Sequence, residues 1–179
     1  MPKIVDRKKK KAELVEQAVV IFQEHGYRGL GMRQIAQELG MSKSALYHYF
    51  PSKESLFEAC TEFVTQRTEP PGEAPGSPLE GVLGMALAME GEFAGELSLL
   101  VDYLRGKTPG EIAGDPTMQL ANRRYLESMT ALVGEKHAKP VLCQLYGWLL
   151  LRWLDGGETK PEELAEWCGE RLGEEGSEV

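Results

Sequence analysis

The sequence has few cysteines, and the three it has lie far apart. Cys60, Cys143 and Cys168 form no CxxC pair, which argues against both a disulfide framework and a zinc site. We therefore expect all three to be small buried hydrophobic residues. The histidines also lack the spacing of metal ligands, so we expect no metal site.

Long apolar runs are absent as well. No run reaches the roughly 18 residues of a membrane span, and no apolar stretch follows the basic residues near the N-terminus. We therefore expect a cytoplasmic protein without a secretory signal. There is also no GxSxG, HExxH, GxGxxG or GxxxxGK[ST] motif, so we expect no enzyme, no catalytic residues and no cofactor.

Charge is distributed unevenly along the chain. Residues 1–53 hold ten Lys and Arg against five Asp and Glu, net +5, and residues 54–179 hold ten against 23, net −13, which together make −8. A basic front on an acidic body indicates that one end meets a polyanion. Taken alone, the basic run from Arg7 to Lys11 is equally consistent with a solvated surface.

Apolar residues recur at helical spacing, and no segment alternates as a strand would. Pro and Gly interrupt the pattern at residues 69–78, the clearest linker. Caps and helix breakers predict helices at 9–24, 32–39, 43–50, 53–67, 79–90, 92–105, 116–136, 140–155 and from Pro161 onward. We expect the tail from Gly173 to be frayed.

Three of these helices lie within residues 9–50 and have the geometry of a helix-turn-helix. Gly40 falls in the tight turn, and Ser42 is suited to cap the third helix. At 100° per residue, Leu46 and Phe50 point inward. A recognition helix presents its far face to base edges and its flanks to phosphates.

These positions predict the DNA contacts. Residues on the far face should read bases, and the tyrosines on the flanks and Lys53, at the positive start of the fourth helix, should bind phosphate. The predicted DNA-binding residues are Arg33, Lys43, Ser44, Ala45, Tyr47, His48, Tyr49 and Lys53. Ordinary packing of the two tyrosines and an inert surface His48 are the alternatives.

The run GLGMRQIAQELGMSKSALYHYFPSKESLFEA, residues 29–59, resembles the DNA-binding signature of the TetR family of transcriptional regulators. The resemblance implies phosphate contacts from Tyr47 and Lys53, a homodimer formed by the last two helices, and a small-molecule pocket in the body. At Gly31-Met32 the chain departs from the Thr or Ser that often caps the second helix in the family, and this departure argues against a phosphate contact from that corner.

The expected fold is therefore all-α, with an N-terminal three-helix DNA-binding domain followed by a helical ligand-binding and dimerisation domain. The predicted divisions are a DNA-binding domain at 1–52, a connecting helix at 53–68, a linker at 69–78 and the helical domain at 79–179. As partners we expect double-stranded operator DNA, a second copy of the chain and a small-molecule effector, but no membrane.

The run at 141–154 is apolar almost all round, and the last helix carries an apolar stripe. Spare apolar surface on adjacent helices predicts a four-helix bundle with a second copy. The predicted dimer residues are Val141, Leu142, Leu145, Leu149, Trp153, Leu164, Trp167 and Cys168. The alternative is that they complete the protomer's own core.

The three middle helices carry methionine and aromatic residues that suit a pocket for apolar ligands. The predicted ligand-binding residues are Met85, Met89, Phe93, Leu100, Tyr103, Tyr125 and Met129. Ordinary core packing is the alternative for each. The function expected is a ligand-released repressor on a palindromic operator, and the alternative is a DNA-binding regulator controlled by a protein partner or by cysteine oxidation.

Overall fold

A computed structural model describes residues 2–67 and 76–173, with side chains from residue 7 onward except that of residue 67. All the regular structure in these two ranges is helical, which confirms the expected all-α class. The helices are α1 Pro2–His25, α2 Met32–Glu38, α3 Lys43–Tyr49, α4 Lys53–Arg67, α5 Pro78–Leu104, α6 Pro109–Ala113, α7 Pro116–Val133, α8 Glu135–Leu154 and α9 Pro161–Leu172.

The chain packs as two compact units, neither of which is continuous in sequence. The head unit comprises Met1–Val64 and Gly95–Ala121, and the body unit comprises Thr65–Ala94 and Asn122–Val179. The second segment of the head unit packs with α1, α2 and α4, because Tyr103 is buried in their core. This segment falls within residues 79–179, the range predicted to form the helical ligand-binding and dimerisation domain.

Two expected helix ends are wrong. Gly91 does not divide α5, because a helix interior tolerates one glycine at a cost of about 1 kcal/mol. Pro140 lies inside α8 rather than at its start, so the Lys136 carbonyl loses one helical hydrogen bond. The preceding break is at Gly134, whose φ of 78° is left-handed, and it ends α7 earlier than expected.

The helix pattern differs from the expected one at two further places. α1 begins at Pro2, seven residues before the expected start, and the short α6 has no counterpart among the expected helices. Thr108 and Glu111 form a capping box that begins α6. Residues 69–75 of the predicted linker and the tail beyond Gly173 lie outside the described residues.

Candidate nucleic-acid interface

The turn between α2 and α3 is closed by backbone hydrogen bonds. The Met41 N–H donates to the Ala36 carbonyl over 2.9 Å, and the Gly40 N–H donates to the Gln37 carbonyl over 3.0 Å, which together form a Schellman motif. Gly40 has a φ of 65°, which a side chain would disfavour. The Ser42 hydroxyl then accepts from the Ala45 N–H over 3.2 Å and starts α3 as predicted.

The inner and outer faces of α3 lie where the helical period places them. Leu46 and Phe50 are buried in the core of the head unit. Ser44 and His48 are exposed, and Tyr47 is 41% exposed on one flank. The predicted orientation of the recognition helix is therefore confirmed, while the base and phosphate contacts of these residues stay predictions.

The remaining members of the predicted surface are less uniform. Ala45 and Tyr49 are half-buried, and Tyr49 packs against the head core. Arg33 is exposed on α2, and the Lys43 ammonium lies 5.6 Å from the Tyr47 ring centroid. This surface therefore presents two cations and two polar side chains beside an exposed aromatic ring.

Gly31 caps α2 without any side-chain hydrogen bond, in keeping with the departure noted in the sequence. Its backbone is extended, and nothing lies within 4 Å of the position that a Cβ would occupy. The cap corner therefore offers backbone groups but no hydroxyl to a phosphate.

Lys53 is engaged within the chain rather than left open at the start of α4. Its ammonium donates to the Tyr27 carbonyl over 3.1 Å and to the Leu30 carbonyl over 2.9 Å. It also lies 4.2 Å from the Tyr27 ring centroid, a cation–π distance. Lys53 thus stabilises the loop before α2 through these hydrogen bonds. Its contact with phosphate stays a prediction.

Arg7 lies outside the set of predicted site residues, but it contacts the recognition helix directly. Its guanidinium donates to the His48 carbonyl over 3.1 Å, and Lys11 places its ammonium 5.3 Å from the Phe50 ring centroid. The signal is present in the sequence, because Arg7 and Lys11 continue the buried line of Leu14 and Ala18 at helical spacing.

The loop between α1 and α2 is anchored by an aromatic cluster. Tyr27 packs edge-on against Tyr103 at a centroid distance of 4.7 Å, and Phe57 contacts both rings. The Tyr27 hydroxyl donates to the Glu54 carboxylate over 3.1 Å. Burial, followed by the nearby Glu54 charge, raises the pKa of Tyr27, so the phenol stays protonated and remains a donor.

A buried polar cluster lies next to these rings. The Tyr103 hydroxyl donates to Asp115 over 2.7 Å, and Lys107 pairs with the same carboxylate oxygen. Burial alone would raise the pKa of Asp115, but hydrogen bonds from Lys107 and Tyr103 outweigh burial and lower it. The other Asp115 oxygen accepts from the Met118 N–H, which confirms Asp115 as the cap that opens α7.

The predicted ligand residues are divided between the two units. Met85, Met89 and Met129 are buried in the core of the body unit, with Phe93 and Tyr125 packed against them. Tyr103 belongs to the core of the head unit, and Leu100 is half-buried on the part of α5 that belongs to the head unit. Four of these side chains, Met85, Met89, Tyr103 and Met129, are buried in core, and the predicted ligand contacts stay predictions.

The body unit contains an open cavity of about 310 Å³. Of the predicted ligand residues, Phe93 alone lines it. Its lining residues are Glu90, Phe93, Ala94, Leu149, Arg152, Trp153, Gly156 and Gly157. Arg152 closes one wall by pairing with Glu90 over 2.6 Å and by donating to two carbonyls of the loop after α8.

The predicted dimer residues divide into two groups. Five of them are at most 2% exposed in the single chain, so they have no surface left for a partner: Val141, Leu145, Leu149, Leu164 and Cys168. For these five the own-core alternative is the correct one. Leu142 and Trp167 are half-buried, and Trp153 is 50% exposed.

The opposite side of α8 carries a second apolar stripe. Cys143, Gly147, Leu150, Leu151 and Leu154 are all exposed, and their spacing places them on one face of the helix. The expected burial of Cys143 is therefore wrong, whereas Cys60 and Cys168 are buried as expected.

Neither metal ligation nor membrane insertion finds support in the described residues. No three His, Cys, Asp or Glu side chains come together there as metal ligands would. No helix within 2–67 or 76–173 combines the length and the apolarity that crossing a membrane requires.

Comparison with known proteins agrees with this geometry. Residues 14–60 match the family described as bacterial regulatory proteins, tetR family. The HTH-type transcriptional regulatory protein RaaS of Mycobacterium tuberculosis is 42% identical over 55 residues, 31% of this chain and 26% of that protein. The HTH-type transcriptional repressor AcnR of Corynebacterium diphtheriae is 40% identical over 50 residues, 28% of this chain and 26% of that protein.

These matches span about a quarter of each relative's length. Solved structures are similar over more of the chain. The match to the TetR-family regulator PfmR from Thermus thermophilus covers 89% of this chain and 96% of the PfmR chain, at 22% identity and a TM-score of 0.58. The match to the structure of AibR in complex with isovaleryl coenzyme A and operator DNA covers 91% of this chain and 96% of the AibR chain, at 17% identity and a TM-score of 0.56. Residues 14–60 therefore match the tetR family of bacterial regulatory proteins, and the all-helical fold is similar to that of the solved TetR-family regulator PfmR.

Proposed function

We propose that this chain represses transcription as a homodimer that binds a palindromic operator and leaves it when a small apolar or amphipathic molecule binds. The observation that carries the proposal is the outer face of α3. Ser44, Tyr47 and His48 are exposed there, while Leu46 on the inner face is buried. A short helix with one anchored face and one polar exposed face fits the major groove.

A dimer is supported by the exposed stripe on α8. Leu150, Leu151 and Leu154 are 40%, 50% and 67% exposed, and Gly147 between them and Cys143 permits close approach of a second helix. A contiguous apolar face on a helix whose other side is already buried is a typical protein–protein interface. We place the two-fold contact on this stripe, with Trp153 and Trp167 at its margins.

A small-molecule effector is supported by the cavity in the body unit and by one structural relative. AibR has been solved with both isovaleryl coenzyme A and operator DNA. In this chain the cavity offers the Phe93 ring, the exposed Trp153 and the Glu90 carboxylate to a ligand. α5 contributes residues to both compact units, so we propose that it transmits the ligand's effect.

Oxidation control through the buried thiols is disfavoured. Burial raises the pKa of Cys60 to about 12 and that of Cys168 to about 11, which keeps both thiols protonated and unreactive. Cys143 is the exposed thiol among the three.

Selection of binding sites from random duplexes tests the DNA half of the proposal. The chain should enrich inverted repeats whose half-sites are about 34–36 Å apart, or a multiple of that distance. A Tyr47→Ala variant with unchanged helix content should enrich the same repeats more weakly, because the proposed Tyr47 contact is to phosphate, which carries no base identity. Enrichment of single, non-repeated sites by the parent chain would contradict the two-fold arrangement.

The effector half is tested by reciprocity. A compound found by thermal shift should bind more weakly when operator is present, by the same factor by which it weakens operator binding. A coupling of about 1–3 kcal/mol is typical of such systems. Equal affinity with and without operator would favour control by a protein partner.

A further inference from the structure

The N-terminal half of α1 carries a group of cations that lie outside the predicted helix-turn-helix contacts. Residues 7–11 read Arg-Lys-Lys-Lys-Lys, and all five are exposed. Lys10 pairs with Glu13 at 3.5 Å. The run is part of the continuous helix α1, so the helical period fixes the face of α1 on which each residue lies.

Arg7 and Lys11 lie one helical turn apart on the face of α1 that turns toward α3. Further along α1, Leu14 and Ala18 on this face are buried in the head core. Where the core ends, the face continues as these two cations. The same face of one helix therefore packs the head unit and then reaches the end of the recognition helix.

The contacts place both cations at the last turn of α3. An Arg7 nitrogen donates to the His48 carbonyl over 3.1 Å, and the guanidinium carbon lies 6.0 Å from the Tyr49 ring centroid. The Lys11 ammonium lies 5.3 Å from the Phe50 ring centroid. Because the carbonyl end of a helix is negative, it favours a cation here.

These cations are also well placed for phosphate. A guanidinium has five N–H donors, and the bond to the His48 carbonyl uses one of them. A recognition helix lies in a major groove about 12 Å wide, and phosphates border both sides of that groove. A cation held within about 3 Å of that helix's backbone at its last turn therefore lies at the wall of the groove.

We propose that Arg7 and Lys11 form a second DNA contact, which binds phosphates at the edge of each half-site. The contact rests on the proposed function, because it requires α3 to lie in the major groove. Arg7 has two roles in it, since it holds the last turn of α3 through the His48 carbonyl and offers its remaining donors to a phosphate. A dimer thereby gains up to four phosphate contacts outside the helix-turn-helix.

The test compares the Arg7→Gln/Lys11→Gln double variant with the parent chain on a selected palindrome carrying flanking base pairs. Affinities are measured between about 50 and 200 mM salt. Each lost phosphate contact reduces the slope of log K against log salt by about 0.9, so four lost contacts reduce it by about 3.6. The matched control is Lys136→Gln/Lys139→Gln, which removes two exposed lysines of α8 and should leave the slope unchanged.

Two further measurements make the outcome decisive. Lys11→Gln leaves the Arg7–His48 hydrogen bond in place, so it should reduce the slope by about 1.8 in the dimer with unchanged helix content. The double variant should select the same palindrome as the parent, because phosphates carry no base identity. An unchanged slope in folded variants would overturn the proposal, as would altered base preference at an unchanged slope. Failure of the proposed function would appear differently, as a parent chain that binds no palindrome.

Discussion

The backbone N–H of Arg28 donates a 2.8 Å hydrogen bond to the carboxylate of Asp102, so the loop before α2 is held by the last turn of α5. The Arg28 guanidinium also donates to the Arg105 carbonyl over 3.1 Å. Gly26 in the same loop has a φ of 73°, and a Cβ there would meet the Asp102 carboxylate at 3.0 Å. A displacement of the end of α5 would therefore pull directly on the loop that positions the helix-turn-helix.

Asp102→Ala should lower DNA affinity as well as stability. It leaves the Arg28 N–H without its charged acceptor, a loss of about 1–3 kcal/mol in the free energy of unfolding. Asp155→Ala is the matched control, because Asp155 accepts backbone N–H groups of the loop after α8 in the body unit. Urea denaturation and fluorescence anisotropy should show both variants destabilised but only Asp102→Ala weakened on DNA. Equal DNA affinities would contradict this role.

Substitutions on α3 should separate by type. His48→Ala and Ser44→Ala should relax preference at particular base pairs, because they remove groups that we propose face the bases. Tyr47→Phe removes only a hydroxyl and should weaken binding to all sequences alike. Binding-site selection on each variant measures the difference, and a base-specific effect of Tyr47→Phe would reverse the assignment.

Lys53→Ala should affect two separate measurements. Loss of the hydrogen bonds to the Tyr27 and Leu30 carbonyls should reduce the free energy of unfolding by about 1–2 kcal/mol. If Lys53 also binds phosphate, the salt slope of DNA binding should fall by about 0.9 for each protomer. Lys136→Ala, on an exposed site of α8, is the control for both. A lower melting temperature with an unchanged slope would leave only the structural role.

Leu151→Glu should convert the proposed dimer to a folded monomer. Leu151 is 50% exposed in the single chain, so a charge there is solvated in the monomer but buried in the proposed interface. Val20→Glu, at an equally exposed site on α1, should remain dimeric. Leu145→Glu should unfold instead, because that side chain is fully buried. Sedimentation of a stable Leu151→Glu dimer would exclude the stripe as the interface.

Asp115 should make stability depend on pH in the acid range. Its pKa is lowered in the folded chain, so its contribution is present above the ordinary aspartate pKa of about 3.9 and is lost as pH falls through the folded value. Asp115→Asn should therefore be less stable than the parent at neutral pH. The difference should shrink below about pH 4 in urea titrations. A constant difference down to about pH 2 would show that the charge does not matter.

Local signals in the sequence predict the recognition helix well. The turn at Gly40, the Ser42 cap and the burial of Leu46 and Phe50 all depend on residues within one or two helical turns. Periodicity is sufficient at this scale, because a helix with one anchored face has one possible orientation.

Features that depend on distant residues are not predictable in the same way. Lys53 fastens carbonyls 23 and 26 positions earlier in the chain, and Tyr103 contacts Tyr27 across an even longer separation. α8 is apolar on two opposite sides, so its period could not distinguish the side facing the core from the side facing solvent. The expected helix start at Pro140 is wrong because the sequence does not show how much packing offsets one lost hydrogen bond.

The two apolar sides of α8 have a consequence for gene dosage. Pairing through the exposed stripe, as proposed, would make the amount of active dimer fall with the square of protomer concentration once that concentration is below the dissociation constant. In such a dimer, folding stability would also depend on protomer concentration, because partner binding stabilises only the native chain. The abundance of such a protein would then act as an input alongside any ligand, and promoter occupancy would respond to synthesis and dilution more steeply than for a monomer.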